Sequence, residues 1–287
     1  MRNALPLLAL VAVLTGSPAA HAAPSADAVQ LIVAPQEARP GDPVMVRLRH
    51  ATSRPHGHLG DTALSFVPFR DGWIAFTSLP METQPGQVAV RIRPGWEHPP
   101  LFAAVEVRPG NWRTRSLTVS SAHTSERPPE LEARIQADRE AFARALSGER
   151  VTPHFDAPFI LPREAALTAF FGDQRVFNGS LASVHYGLDL RGAVGAPIHA
   201  ANAGVVVMVR DCFTSGNTVI VDHGAGLYTL YFHLSRFDVT EGQRVERGQL
   251  LGAVGSTGRV TGPHLHWSVH VDGRYVDPQR LLELALD

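Results

Sequence analysis

Lysine is missing from this chain. All 26 basic residues are arginine, they are scattered along the sequence, and the net charge is −1. A basic surface for nucleic acid is therefore not predicted. We attribute the lack of lysine to codon bias rather than to function.

Cysteine is nearly missing too, because Cys212 is the single one among 287 residues. An internal disulfide is excluded, so a hydrophobic core and any bound metal must stabilise the fold. The position of Cys212 between Val209 and Phe213 is typical of a small buried apolar residue rather than of a reactive thiol. Hydrophobic residues make up 44% of the chain and charged residues 18%, which favours a packed core over disorder.

A long hydrophobic run is also lacking. The N-terminal apolar stretch, residues 4–14, is shorter than the roughly 20 residues that a membrane span needs. Met1-Arg2-Asn3 before it and Ala20-His21-Ala22 after it are typical of a signal peptide. Residues 1–22 are therefore predicted to be removed on export to the periplasm or the medium. The mature chain then has no membrane span and a net charge of −2, because the leader carries only Arg2.

Short alternating runs punctuated by turn signals predict β-strands over the next 80 or so residues. The runs are Val29–Val33, Val44–Leu48, Val88–Ile92 and Val105–Val107. They predict a small antiparallel β-sandwich, an N-terminal accessory domain of residues 23–108. His56 and His58 fall in a glycine- and proline-containing segment. We interpret that segment as a surface loop, because no third metal ligand is evident.

A helix is predicted over residues 128–147. Pro128-Pro129 suit its start and Gly148 suits its end. Its apolar stripe consists of Leu131, Ile135, Phe142 and Leu146. The prolines that follow predict an extended connector. Residues 109–155 are therefore predicted to form a linker that contains this helix.

The remaining part, residues 156–287, is predicted to be a glycine-rich antiparallel β domain. Its candidate strands are 203–209, 217–222, 228–233 and 264–271. Asp272-Gly273 is a strong hairpin signal, and a short helix is expected near residues 278–286. Strands and helices do not alternate, so a parallel α/β sheet is excluded. The predicted fold class is all-β and mainly antiparallel.

The run Gly262-Pro263-His264-Leu265-His266-Trp267 carries the strongest chemical signal. Residues i and i+2 of a strand share a face, so His264 and His266 are expected to project together. Upstream, His185 and Asp189 would stand roughly 13 Å apart on a straight strand. The chain must curl for them to share an ion, and Gly187 permits it. Three such ligands and an open position for water are the composition of a catalytic zinc site.

Each of these residues also has a plain structural interpretation. His185 could be a surface histidine and Asp189 an unrelated loop aspartate. The His264–His266 pair alone does not decide whether the chain binds a metal. His233 ends an apolar run and fits a polar cap on a core strand, while His270 fits a polar position at a strand end. The sequence contains no H-E-x-x-H, no G-x-S-x-G and no phosphate-binding loop.

Six motifs in one order, between residues 171 and 278, resemble the catalytic domain of lysostaphin-type zinc metallopeptidases, which cut peptides of bacterial peptidoglycan. The motifs are HYGLD at 185–189, AGVV at 203–206, NTVIVDHG at 217–224, YFHL at 231–234, GSTG at 255–258 and TGPHLHW at 261–267. The N-terminal β region resembles the accessory domain of some exported members.

The resemblance implies a role for each polar position. His185, Asp189 and His266 become the ligands of one Zn²⁺ per catalytic domain, and His233 and His264 become the catalytic histidines. The zinc would activate a water for attack, with one of these two histidines as the general base. Which histidine is the base stays open. Asn178 and Arg175, in a loop before the first ligand, are predicted to contact substrate.

The implied function is an exported zinc metalloendopeptidase that hydrolyses cross-links or stem peptides of peptidoglycan in cell-wall remodelling, acting as a monomer. The alternative is a non-enzymatic activator of cell-wall amidases, as in relatives that have lost metal ligands. All five polar positions are present in this sequence, which favours the enzyme. The bond that is cut and the role of the N-terminal domain stay open.

Overall fold

The computed structural model describes residues 28–117, 128–177 and 180–286. The predicted signal peptide lies outside these residues. Strands dominate the described chain and nearly all of them pair antiparallel, which confirms the predicted fold class. None of the helices in the described ranges is long and apolar enough to cross a membrane.

Two sheets near the N-terminus pack face to face. The first contains β1 (Gln30–Ala34), β3 (Pro43–Arg49), β6 (Val67–Phe69) and β7 (Gly72–Ser78), in the order β1-β3-β7-β6. The second contains β2 (Glu37–Ala38), β4 (His56–Leu59), β5 (Thr62–Ala63), β8 (Gly86–Arg93) and β9 (Leu101–Val107), in the order β2-β9-β8-β4-β5. The segment with His56 and His58, expected to be a loop, is strand β4, and both side chains are exposed.

Strand β3 is buried on both faces. The side chains that point into the sandwich are Val44, Val46 and Leu48. Met45 and Arg47 point to the opposite side, where the C-terminal half of the chain covers them. Arg47 is 2% exposed and donates hydrogen bonds to Leu286 O and Asp71 Oδ1, each at 2.8 Å. A buried guanidinium is tolerated here because both a carboxylate and a carbonyl accept from it.

One hydrophobic cluster joins the sandwich to the C-terminal half. Met45, Ile74 and Phe76 of the first sheet pack in the same core as the C-terminal strands. Phe155 lies at the junction, with its ring centroid 6.1 Å from that of Phe76 and 5.0 Å from that of Phe159. The two halves are therefore held together by a continuous core as well as by polar contacts such as the bond from Arg47 to Leu286 O.

Elements from the predicted linker also contact the C-terminal half. Strand β10 (Thr114–Leu117) pairs in parallel with β12 (Gln174–Phe177), which in turn pairs with β13 (Ser180–Val184). Helix α1 (Pro129–Ala145) packs on β16 (Gly204–Cys212). The domain boundaries themselves stay predictions.

Helix α1 is close to its predicted span, and all four residues of its predicted apolar stripe are half-buried. The buried side chains are Asp138, Ala141 and Ala145. Asp138 accepts from Arg210 Nε at 2.9 Å and from the backbone N–H of Phe213 at 2.8 Å. These bonds anchor the helix on the sheet through a carboxylate, which a search for apolar periodicity does not detect.

The C-terminal half is organised around a ten-stranded sheet. Besides β16, its strands are β11 (Leu167–Ala169), β14 (Leu188–Arg191), β15 (Pro197–His199), β17 (Gly216–Asp222), β18 (Leu227–Phe237), β19 (Arg244–Val245), β20 (Leu250–Val254), β21 (His264–Val271) and β22 (Arg274–Val276). The main path runs β11-β14-β21-β18-β17-β16-β19, with β20 also paired to β18, β15 to β20, and β22 to β21. Strands β14, β21 and β18 are thus neighbours.

The end of the chain follows its turn signals. Asp272 and Gly273 join β21 to β22 with φ of 51° and 81°, the left-handed conformation that the dipeptide predicts. Helix α2 (Pro278–Leu282) is shorter than expected. Its N-cap residue is Asp277, whose side chain accepts from Gln279 N at 2.9 Å. Cys212, at the end of β16, is buried as predicted.

Candidate metal centre

Strands β14 and β21 bring three potential ligands together. The strands are antiparallel and place Asp189 directly opposite His266. Asp189 Oδ1 lies 2.8 Å from His266 Nδ1 and 3.0 Å from His185 Nε2. The two imidazole nitrogens are 3.0 Å apart. These three side chains are the one such group that the described part of the chain contains.

His185 reaches this point from the segment that precedes β14. Gly187 does not have the left-handed backbone that a tight curl would use. A Cβ at this position would instead lie 2.6 Å from Trp267 O and 2.7 Å from Ser268 Oγ. The chain bends at Gly187, as expected, and glycine is required there because the backbone passes directly over β21.

Hydrogen bonds behind the two imidazoles fix which nitrogen faces the centre. His185 Nδ1 lies 2.9 Å from Phe170 O, and because a carbonyl only accepts, Nδ1 carries the proton. Ser268 Oγ donates to Tyr186 O at 2.6 Å and so accepts from His266 Nε2 at 2.9 Å. Both histidines consequently turn an unprotonated nitrogen towards the shared carboxylate.

This arrangement suits a cation. Two neutral imidazoles and a carboxylate present lone pairs to one another at 2.8 to 3.0 Å, so a proton or a metal ion has to lie among them. Tetrahedral zinc at about 2.0–2.1 Å from each donor needs separations of about 3.3 Å, a few tenths of an ångström more. Two histidines and one aspartate also leave the fourth position open, as a catalytic zinc site requires.

The pKa shifts of these three residues also favour a cation site. Burial acts to raise the pKa of Asp189, but the adjacent imidazole nitrogens of His185 and His266, which donate to the carboxylate whenever they carry a proton, outweigh burial and hold the pKa far below its usual range. Burial lowers the pKa of His266, whereas for His185 the bond to Asp189 raises the pKa against the effect of burial. The carboxylate is thus ionised at neutral pH and attracts a cation.

Strand β18 approaches the centre through an irregularity at His233. Phe232 pairs with His266, and their rings stack with centroids 5.2 Å apart and an interplanar angle of 11°. Alternation would turn the next side chain to the other face. His233 instead has a φ of 64°, uncommon outside glycine, and the register of the strand shifts just beyond it. This bulge directs the His233 ring to the site, 5.0 Å from the ring of His264.

His233 and His264 form a second pair beside the ligands. Each donates from Nδ1 to a backbone carbonyl, His233 to Thr257 O and His264 to Gly262 O, both at 2.9 Å. The Nε2 atoms are therefore free to accept a proton, and that of His264 lies 3.6 Å from Asp189 Oδ1. Burial lowers the pKa of His233 to about 4, so this imidazole is neutral at pH 7.

The other sequence-predicted positions divide into three cases. Arg175 is exposed on β12 and borders the same cleft as His185. Asn178 lies outside the described residues. His270 shares the face of His266 but packs against Tyr275, with ring centroids 5.4 Å apart, and joins no ligand group among the described residues.

Three residues that shape the site were not predicted from the sequence. Ser268 and Phe170 orient the ligand histidines, and Phe232 stacks on His266 while its other side meets Phe142 of helix α1, with ring centroids 6.0 Å apart. Strand alternation does place Ser268 on the face of His266, so that signal was present. Phe170 acts through its backbone carbonyl, which no residue pattern reveals.

The C-terminal half matches known proteins. The profile of Peptidase family M23 matches residues 183–278. Peptidoglycan DD-endopeptidase ShyA of Vibrio cholerae is 46% identical over 96 residues, which are 33% of this chain and 22% of that protein. DD-carboxypeptidase/endopeptidase Mpg of Neisseria meningitidis is 42% identical over 95 residues, 33% of this chain and 22% of that protein. The chain thus spans about a fifth of the length of these curated relatives.

One solved structure is similar over nearly the whole chain. It is a Pseudomonas aeruginosa protein provisionally assigned to peptidase M23, with 29% identity and a TM-score of 0.58, and the match covers 85% of this chain and 94% of that one. The matched residues 183–278 contain all five polar positions of the site described above. Residues 183–278 of the chain therefore form a Peptidase family M23 domain of the lysostaphin type.

Proposed function

We propose that this chain is an exported zinc metalloendopeptidase that hydrolyses peptide bonds in bacterial peptidoglycan. The observation that carries the proposal is the convergence of three unprotonated donor atoms, from His185, Asp189 and His266, beside two further histidines. The names of the relatives support the substrate, because ShyA is a peptidoglycan DD-endopeptidase. Export, one zinc per catalytic domain and a monomeric state are further parts of the proposal.

The residues divide the chemistry between them. His185, Asp189 and His266 would hold the ion, and zinc bound there supplies a Lewis acid that acidifies water and polarises the scissile carbonyl. His233 and His264 offer unprotonated Nε2 atoms, so they are placed to accept a proton from the attacking water. Once protonated, the same imidazole can donate to the leaving amine. The other histidine of the pair can hydrogen-bond the developing oxyanion when its Nε2 carries a proton, because its Nδ1 is already bonded to a backbone carbonyl.

The rival function, a non-enzymatic activator of amidases, fits the site less well. An activator has no use for hydrogen bonds that fix the tautomers of both ligand histidines. Nor does it need the left-handed backbone at His233, a conformation that typically costs about 1–3 kcal/mol and is kept mostly at functional sites. The site therefore favours a catalyst.

Removal of the metal provides the direct test. A chelator is expected to abolish cleavage of purified peptidoglycan, and added Zn²⁺ is expected to restore it, with the released fragments followed by mass spectrometry. Mg²⁺ serves as the control, because a site of two imidazoles and one carboxylate disfavours it. An unchanged fragment profile after chelation would exclude the proposed mechanism.

Ser268→Ala is expected to weaken zinc binding by about 10- to 100-fold, as is usual when the partner behind a ligand histidine is lost. The physical reason is that Ser268 Oγ links His266 Nε2 to Tyr186 O and so keeps His266 Nδ1 unprotonated towards the ion. Zinc affinity is measured by competition with a chromophoric chelator. Ser235→Ala is the matched control, since Ser235 donates only to Ala253 O at 3.3 Å. Equal zinc affinity in both variants would contradict the role given to Ser268.

A further inference from the structure

A cleft lies against the candidate metal centre, with His185 in its lining. Its volume is about 390 Å³, and the side chains around it include Arg113, Thr114, Thr168, Asp173, Arg175 and His185. One wall comes from β10, in the predicted linker, and the opposite wall from β11. Because His185 is part of the lining, the cleft adjoins the candidate metal centre.

Two charged side chains, Asp173 just before β12 and Arg175 on β12, lie on the side of His185. Gln174 pairs with Val184, and the N–H of His185 donates to Asp173 O at 2.9 Å, so Asp173 stands opposite His185. Residues directly opposite on antiparallel strands share a face, and so do residues two apart on one strand. Asp173 and Arg175 therefore border the cleft on the side of the ligand.

The two arginines of the cleft differ in how they are engaged. Arg113 is paired with Asp173, with its Nε 2.7 Å from Oδ1, and its guanidinium lies 4.4 Å from the centroid of the Phe170 ring. Arg113 is thereby neutralised and fixed. Arg175 is exposed and has no carboxylate partner within the described ranges. Among the described residues, the guanidinium of Arg175 is therefore the one positive charge of the cleft without a carboxylate partner.

We propose that this cleft binds a carboxylate group of the peptide substrate through Arg175. A guanidinium pairs with a carboxylate through two parallel hydrogen bonds, which gives both affinity and orientation. Thr114 and Thr168 add hydroxyl groups to the lining. The inference rests on the proposed function and specifies its substrate class: a peptide with a free carboxylate close to the scissile bond. The carboxylate belongs either to the end of the peptide or to a side chain.

The test compares three synthetic cross-linked peptides of the same sequence. In one all carboxylates are free, in the second the C-terminal carboxylate is an amide, and in the third the side-chain carboxylate is an amide. For the zinc-loaded wild type, amidation of the recognised group is expected to raise KM by about 10- to 100-fold, the range for losing a hydrogen-bonded charge, with kcat within about twofold. The amide that has this effect identifies the source of the carboxylate.

Arg175→Gln is expected to raise KM for the free peptide to the same extent and to abolish the difference between free and amidated peptides. Arg175→Lys is expected to have a KM between those of the wild type and Arg175→Gln, because lysine keeps the charge but lacks the two parallel donors of the guanidinium. Arg274→Gln, at an exposed arginine on β22, is the matched control and is expected to leave KM unchanged. Equal KM for all three peptides in the wild type, or a normal KM in Arg175→Gln, would overturn the inference.

Calorimetric binding of the free and amidated peptides to the zinc-loaded protein separates the two proposals. In the wild type, weaker binding of one amidated peptide than of the free peptide, with no such difference in Arg175→Gln, supports the carboxylate cleft. This conclusion holds even if no peptide is cut, an outcome that would reject the endopeptidase alone. Cleavage of all peptides with identical affinity supports the endopeptidase and rejects the cleft.

Discussion

His266→Ala is expected to bind no zinc and to lose cleavage, whereas His264→Ala is expected to retain zinc and lose about 10²- to 10⁴-fold in kcat, the usual contribution of general acid–base catalysis. The two residues are neighbours on one strand face, yet their surroundings differ. His266 Nδ1 lies 2.8 Å from Asp189 Oδ1 with its other nitrogen held by Ser268. His264 Nε2 is farther from the carboxylate, at 3.6 Å.

Two measurements on each variant separate these roles. Zinc content is determined by metal analysis after dialysis, and turnover is determined on purified peptidoglycan at saturating zinc. His58→Ala is the control, because His58 is an exposed histidine of strand β4 in the sandwich. Loss of zinc from both variants, or full activity in either one, would mean that the division between ligand and catalyst is wrong.

The sequence predicted the members of the site better than the way they are held there. Alternation on β21 predicted His264 and His266 on one face. His185 and Asp189 were also candidates from the sequence, and the structure brings both beside His266. The roles that the resemblance implies stay predictions. The chain bends at Gly187 as expected, but a second reason for glycine, the forbidden Cβ contact, depends on a strand 80 residues away in the chain. Such a contact is a property of the tertiary fold and leaves no local pattern.

His233 shows a second limit. As the last polar residue of an apolar strand, it fitted a cap as well as a catalyst, and strict alternation with Phe232 would have turned it away from the site. The left-handed φ of 64° resolves this, because it brings both side chains to the same face. The surrounding strand pairing imposes this left-handed backbone conformation on His233, so the local sequence does not predict it.

Strand β3 shows the same limit for the fold. The alternation of Val44, Met45, Val46 and Arg47 predicted a strand of a small sandwich, and such strands usually have one face in water. The structure covers the second face with the C-terminal half, so Met45 joins the shared core and Arg47 is buried. Periodicity identifies the strand but cannot reveal that another domain packs against its polar side.

Phe155→Ala is expected to destabilise the whole protein by about 3–5 kcal/mol, the usual cost of removing a fully buried phenylalanine. Phe155 is 4% exposed, and its ring contacts Phe69 and Phe76 of the sandwich on one side and Phe159 of the C-terminal half on the other. The cavity therefore opens inside the core that both halves share. The melting temperature should fall by on the order of 10 °C.

Because the halves share that core, calorimetry is expected to show one cooperative transition in both the wild type and Phe155→Ala, shifted as a unit in the variant. Phe102→Ala is the matched control, since Phe102 is 61% exposed on β9, and its free energy of unfolding should change by less than about 0.5 kcal/mol. Two separate transitions, with only one displaced in Phe155→Ala, would show that the sandwich and the peptidase region unfold independently. A single shifted transition would mean that the sandwich contributes directly to the stability of the sheet carrying the metal centre, so that variants in the sandwich would lower activity at high temperature without touching the site.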